Sequence, residues 1–133
     1  MTEKSTRTGI LLFAHGSSVQ DANRGVHELA NQLAARGPYS YVRAAFLERA
    51  RPDLPEAVAQ AVAAGIRRVI VIPYFLTLGL HLQRDLPHLI ASLRHKYPDV
   101  VIDVGQSLEG HPLMSAIILG RVQEVIAGDK TTQ

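Results

Sequence analysis

The sequence predicts an α/β fold: a single doubly wound domain with a four-stranded parallel sheet and helices on both faces. Two observations point there. Short β-rich runs alternate four times with longer stretches whose apolar residues recur at helical spacing. The runs are also apolar almost throughout, as strands covered on both faces must be. Right-handed crossovers then restrict the arrangement, and strand order 2-1-3-4 is the expectation. The 133 residues are 47% hydrophobic and 20% charged, enough apolar material for one core and nothing polar enough for disorder. The domain is expected to span residues 7–127, with 1–6 and 128–133 loose.

Each element has its own signal. Ile10-Leu11-Leu12-Phe13-Ala14 is an apolar run closed by His15-Gly16-Ser17, hence a buried strand and a loop. Over residues 22–36, Val26, Leu29, Ala30, Leu33 and Ala34 share a helix face until Gly37-Pro38 stops it. Residues 41–47 form the second strand, which ends at Glu48. Asp53-Leu54-Pro55-Glu56 opens the next helix with an acidic cap, Pro in the first turn and an acid three residues beyond the cap. Gly65 ends that helix.

Residues 68–73, the most apolar run, form the third strand. A loop over 74–81 precedes a helix that reaches about residue 96, with Leu86, Leu89, Ile90 and Leu93 on one face. Residues 100–104 are the fourth strand. The last helix opens near His111-Pro112 and is expected to turn Met114, Ile117, Ile118, Val122 and Val125 inward.

In such sheets ligands bind beyond the carboxyl ends of the strands, where strand order reverses. Three metal-ligating side chains follow strands at that edge: His15 after the first, Glu48 after the second, and His81 in the loop after the third. Two imidazoles and one carboxylate suit Co²⁺, Ni²⁺, Fe²⁺ or Zn²⁺, and three protein ligands leave positions open for a substrate. No cysteine is present, which excludes disulfides and thiolate sites. His15 also admits a plain loop hydrogen bond. Ser17 or Ser18 admits a helix cap or, with the helix start, an anion cradle.

The loop Tyr74-Phe75-Leu76-Thr77-Leu78-Gly79-Leu80 is apolar where loops are usually polar, so it reads as core, dimer contact or a wall for a flat hydrophobic ligand. Leu78, Gly79 and Leu80 are the wall candidates. Arg49, Arg51 and Arg84 flank Glu48 and His81 and could meet substrate carboxylates. His111 lies near the same edge, whereas His27, His88 and His95 fall on helix surfaces.

Several classes are excluded. The net charge of +2 is too small for a nucleic-acid surface. No phosphate-binding G-x-x-x-x-G-K-[ST] loop, dinucleotide G-x-G-x-x-G turn or G-x-S-x-G elbow occurs, so no nucleotide is expected. No run spans a bilayer or forms a signal-peptide core, and a cytoplasmic location is expected. A histidine phosphotransferase would want an Arg immediately before His15, where Ala14 stands.

Leu12-Phe13-Ala14-His15-Gly16-Ser17, Ala45-Phe46-Leu47-Glu48, Val71-Ile72-Pro73-Tyr74-Phe75-Leu76, Gly79-Leu80-His81 with Asp85-Leu86-Pro87, and Gly110-His111-Pro112 together form an ordered set. From about residue 9 to 125 it resembles the class II sirohydrochlorin chelatases, and in particular the small CbiX-type cobaltochelatases. The loop Gly79-Leu80-His81 departs from the family in lacking an extra Gly or His beside the last ligand.

The resemblance implies a lyase that inserts a divalent metal, Co²⁺ first and Ni²⁺ or Fe²⁺ as variants, into sirohydrochlorin without ATP, in cobalamin or siroheme-type tetrapyrrole biosynthesis. His15, Glu48 and His81 would be its ligands, with His15 or His81 taking pyrrole protons. Longer relatives hold two such domains, so a homodimer is implied. A non-catalytic metal or tetrapyrrole carrier and, less favoured, a histidine-type phosphotransferase are the remaining alternatives.

Overall fold

The computed structural model of the chain describes residues 5–128. The expected loose termini lie outside the described residues at 1–4 and 129–133. Ser5 and Thr6 instead belong to the first strand, and Gly128 closes the last helix.

Eight elements alternate: β1 (Ser5–Ala14), α1 (Gln20–Arg36), β2 (Tyr39–Phe46), α2 (Leu54–Ala63), β3 (Arg68–Pro73), α3 (Leu80–Lys96), β4 (Val101–Val104) and α4 (Met114–Gly128). The strands form one parallel sheet in the order β2-β1-β3-β4, as the crossover rules predicted. The order reverses between β1 and its two neighbours, so the loops after β1, β2 and β3 meet at one edge.

Alternation along the strands makes two cores. Leu11, Phe13, Ala45, Val69, Val71 and Ile102 face α2 and α3, meeting Leu54, Val58, Ala61, Leu86, Ile90 and Leu93. Leu12, Ala14, Val42, Ala44 and Phe46 face α1 and meet Val26 and Ala30. The cap of α2 matches its sequence signature: Asp53 accepts from the Glu56 amide at 2.9 Å, and the Glu56 carboxylate accepts from the Asp53 amide at 2.9 Å.

Two expectations are corrected. α3 starts at Leu80, which puts His81 in its first turn and not in the preceding loop. Boundaries of this kind shift because an apolar loop that runs into an amphipathic helix carries no cap signal, and Gly79 at the cap makes no side-chain bond. The larger correction concerns α4. It buries none of its residues, and every position from Ser115 to Ala127 is exposed, including Ile117, Ile118, Val122 and Val125, while Met114 is only half-buried. Helical spacing shows that an apolar surface exists; it does not say which chain covers it. Among the described residues no helix is long and apolar enough to cross a membrane.

Removing the Asp53 cap with Asp53→Ala is expected to cost about 1 kcal/mol of stability, read as a lower urea midpoint at unchanged slope. An unshifted midpoint would show that the capping box contributes nothing.

Candidate metal centre

His15 and Glu48 are brought together by backbone geometry. Past the strand ends, the Leu47 amide donates to the Ala14 carbonyl at 2.8 Å and the Glu48 amide donates to the His15 carbonyl at 3.1 Å. The β1–β2 ladder therefore runs on into the two loops. It does so only because residue 16 is glycine. Gly16 sits at φ +90°, and a Cβ placed there would lie 1.7 Å from the Glu48 carbonyl oxygen. The two side chains then face each other with His15 Nε2 4.0 Å from Glu48 Oε2, both more than half exposed.

The tautomer of His15 follows from its other nitrogen. Nδ1 lies 3.3 Å from the Gly16 carbonyl, which can only accept, so Nδ1 donates and Nε2 keeps its lone pair toward Glu48. Metal-ligating histidines commonly donate their second N–H to a backbone carbonyl in this way. A metal bound at about 2.1 Å to both atoms would hold them on the order of 3–3.5 Å apart. The observed gap needs only a small side-chain adjustment.

A second layer holds the His15 loop from behind. Asn23, the one buried polar residue among those described, accepts from the Ser17 amide at 2.9 Å and donates to the Ser17 carbonyl at 2.8 Å. The Ser17 hydroxyl accepts from the Val19 amide at 2.9 Å, so neither Ser17 nor Ser18 caps α1, whose cap position is Val19. The role of Asn23 was missing from the sequence expectations. An Asn six residues after a Gly-Ser turn, on an otherwise apolar helix face, was the available signal.

His15 opens into a cavity of about 420 Å³ lined also by Leu47, Phe75, Thr77, Gly79, Leu80, His81, Leu82 and Asp85. The Phe75 ring stands edge-on to His15 at 6.2 Å and to Phe13 at 5.9 Å. Gly79, Leu80, Phe75 and Leu47 make the apolar side of this cavity. Leu78 does not line this cavity. It packs against the core and lines a separate apolar groove with Leu86, Pro87 and Ile90.

His81 shares the cavity with His15 but is engaged elsewhere. Arg84 Nη2 donates to His81 Nδ1 at 3.1 Å. A neutral imidazole accepting there carries its proton on Nε2, so neither nitrogen is free while that bond lasts. Among the described residues no group of three His, Asp or Glu is close enough to hold a metal. Arg84 also lies 3.5 Å from Asp85.

On the far side of Glu48, Arg49 and Arg51 line a basic cavity of about 460 Å³ with Gln20, Asn23, Arg24, His27 and Ala50. Arg49 adopts φ 67°, the only non-glycine residue at positive φ among those described, and its Nε is 3.8 Å from Glu48 Oε2. Arg51 pairs with Glu56. The His27 ring meets Phe46 at 5.4 Å. His111 is exposed, and its Nδ1 accepts from the Leu113 amide at 3.0 Å, shaping the approach to α4 away from the lining of the His15 cavity. Ala14, where a phosphotransferase would want a cation, is buried.

Comparison with known proteins converges on one family. The CbiX family model matches residues 9–125. The sirohydrochlorin cobaltochelatase of Methanosarcina acetivorans is 30% identical over 133 residues, covering 95% of this chain and all of that protein. The chloroplastic sirohydrochlorin ferrochelatase of Arabidopsis thaliana is 28% identical, covering 90% of this chain but 53% of its own length. The crystal structure of the CbiX protein from Marinobacter aquaeolei superposes with a TM-score of 0.80 at 28% identity, covering 90% of this chain and 98% of that one.

Gly16→Ala forces a side chain into both a disfavoured backbone region and the Glu48 carbonyl. It is expected to destabilise the fold by about 1–3 kcal/mol and to weaken Co²⁺ binding in calorimetry. Asn23→Ala, which supplies no candidate ligand, is expected to weaken Co²⁺ binding as well, because the His15 loop loses its clamp. Wild-type stability and affinity in both variants would sink the positioning argument.

Proposed function

The chain belongs to the CbiX family, and from that premise we propose that it is a metal chelatase that inserts a divalent metal into sirohydrochlorin without ATP. The observation that carries the proposal is the His15–Glu48 pair: a lone pair and a carboxylate oxygen 4.0 Å apart at the switch point, opening onto a wall of Phe75, Leu47 and Leu80. Co²⁺ is the favoured metal, supported by the cobaltochelatase of M. acetivorans, which this chain matches over its whole length. Fe²⁺ and Ni²⁺ are the alternatives that assay must separate.

The residues divide the work by chemistry. His15 Nε2 and Glu48 hold the incoming metal and leave its other positions open to the macrocycle. His81 completes the set once Arg84 releases it, so that arrival of the metal and release of this contact are one event. The flat ring lies against the apolar wall, and its carboxylates meet Arg49 and Arg51 as charge-assisted pairs. Insertion forms metal–nitrogen bonds and displaces two pyrrole N–H protons. These pass to the imidazole and carboxylate that the metal vacates, and an imidazole suits that role near neutral pH. One small domain supplies one wall, so the working form proposed is a homodimer.

The direct test mixes the protein with sirohydrochlorin and each metal in turn and follows the macrocycle's absorbance. Insertion faster than in protein-free controls supports a chelatase. Stoichiometric binding without acceleration would establish a carrier instead. His15→Ala, Glu48→Gln and His81→Ala are expected to lose insertion while keeping stability within about 1 kcal/mol, since these exposed side chains support no core. Loss of metal affinity at His15 is expected to exceed the roughly 10–100-fold typical of removing an outer hydrogen-bond partner. Near-normal turnover in His15→Ala and His81→Ala would refute the ligand set.

A further inference from the structure

Two of the three candidate ligands are held by arginines. Arg84 Nη2 donates to His81 Nδ1 at 3.1 Å, and Arg49 Nε stands 3.8 Å from Glu48 Oε2. That carboxylate oxygen lies between two groups, with Arg49 on one side and His15 Nε2 at 4.0 Å on the other. Arg51, by contrast, holds Glu56, and Arg24 holds Asp21, neither of them a candidate ligand.

Each of the two arginines occupies an atom that a metal needs. A guanidinium has no lone pair to give, and its N–H groups point at the acceptors they meet. His81 cannot turn a nitrogen to a metal while Arg84 stays, and a cation at Glu48 competes with Arg49 for the same oxygen. Neither contact is strong. The side chains of Arg49 and Arg84 are 62% and 68% exposed, and exposed pairs of this kind hold by a factor of about two to five.

A better acceptor would draw both away. His81 offers Arg84 one neutral lone pair, and 3.8 Å from Arg49 to Glu48 is beyond hydrogen-bond distance. A free carboxylate that meets a guanidinium fork makes two charge-assisted bonds at once. Both arginines stand where such groups would arrive. Arg49 lines the basic cavity, and Arg84 stands between His81 and Asp85, which line the apolar one. Arg49 is also aimed by a backbone at φ 67°, which a residue with a side chain keeps only where its surroundings enforce it.

We propose that Arg49 and Arg84 are latches on the metal site, opened by the carboxylates of the incoming macrocycle. This rests on the chelatase reading and specifies how the site assembles. Metal that arrives alone must displace both arginines itself and is held weakly. Once carboxylates of the macrocycle take the two guanidinium groups, His81 is released and Glu48 loses its competitor. Metal and macrocycle then raise each other's affinity by one shared factor, because such coupling is reciprocal. The protein loads metal when the acceptor for that metal is already at hand.

Cobalt titrations by calorimetry, with no macrocycle present, test the latch first. Arg84→Leu removes the donor without supplying a ligand, and it is expected to bind Co²⁺ about two- to fivefold more tightly. Arg49→Leu is expected to do the same. In a His81→Ala background the gain from Arg84→Leu is expected to vanish, because no ligand is left to release. Binding of the metal-free macrocycle, read from its absorbance, is expected to weaken by about two- to fivefold in each variant. A residue that merely supports the fold would weaken both kinds of binding together. In insertion assays the KM for Co²⁺ is expected to fall as macrocycle concentration rises, and to stay flat in the Arg49→Leu/Arg84→Leu double variant. Equal or weaker cobalt binding by Arg84→Leu would overturn the proposal, as would a gain that survives in His81→Ala. The two opposite binding shifts, found in a protein that inserts no metal, would support the latches and refute the chelatase reading.

Discussion

The site depends on two backbone hydrogen bonds that extend the β1–β2 ladder past the strand ends, Leu47 to Ala14 and Glu48 to His15. They make this edge an extension of the sheet and not a pair of free loops. The same device recurs across the sheet: the Tyr74 amide donates to the Phe13 carbonyl at 2.7 Å between β3 and β1, and the Gly105 amide to the Val71 carbonyl at 2.8 Å between β4 and β3. Each candidate loop thus leaves its strand already in register with its neighbour. Little entropy is lost in forming the site, because ordering it was completed when the sheet formed. The cost is local and falls on Gly16, the position where the two loops come too close for a side chain.

Within that frame the two histidines differ in kind. His15 has a backbone carbonyl beside Nδ1, and the tautomer that donates to it turns the Nε2 lone pair toward Glu48. His81 is held by Arg84, an exposed side chain one helical turn away that can leave at little cost. A metal that must be bound and then surrendered gains from such an arrangement. On the proposed ligand set, His15 and Glu48 would capture it, and His81 held in reserve would make the coordination easy to change. A closed three-ligand cage would bind more tightly and release more slowly.

Much of this was legible in the sequence because strands and their ends are written locally. The apolar runs gave all four strands, the Asp53–Glu56 spacing gave a capping box that is present, and the order of crossovers gave the sheet. His15, Glu48, Gly79, Leu80 and His81 could be placed at one edge for the same reason. What was not legible depended on distant partners. Asn23 looks like one more polar residue on a helix until its amide is seen to close on both backbone groups of Ser17. Leu78 and Leu80 look alike in the sequence, yet one turns to the core and the other to the cavity. For α4, periodicity correctly found the apolar stripe and wrongly assigned it to the chain's own core.

That last error has a physical cause. A sheet in the order β2-β1-β3-β4 ends on an edge strand whose Val101 and Val104 remain exposed, and an uncovered edge and face are liabilities that folded proteins rarely leave open. α4 could cover that face of its own sheet only if the loop after β4 were free to turn back. Here Leu108 and Glu109 commit that loop to the wall of the site. Building the cavity wall and folding α4 home therefore compete for the same few residues between Gly105 and Leu113. The wall has the hydrogen bonds, and the helix is left outward.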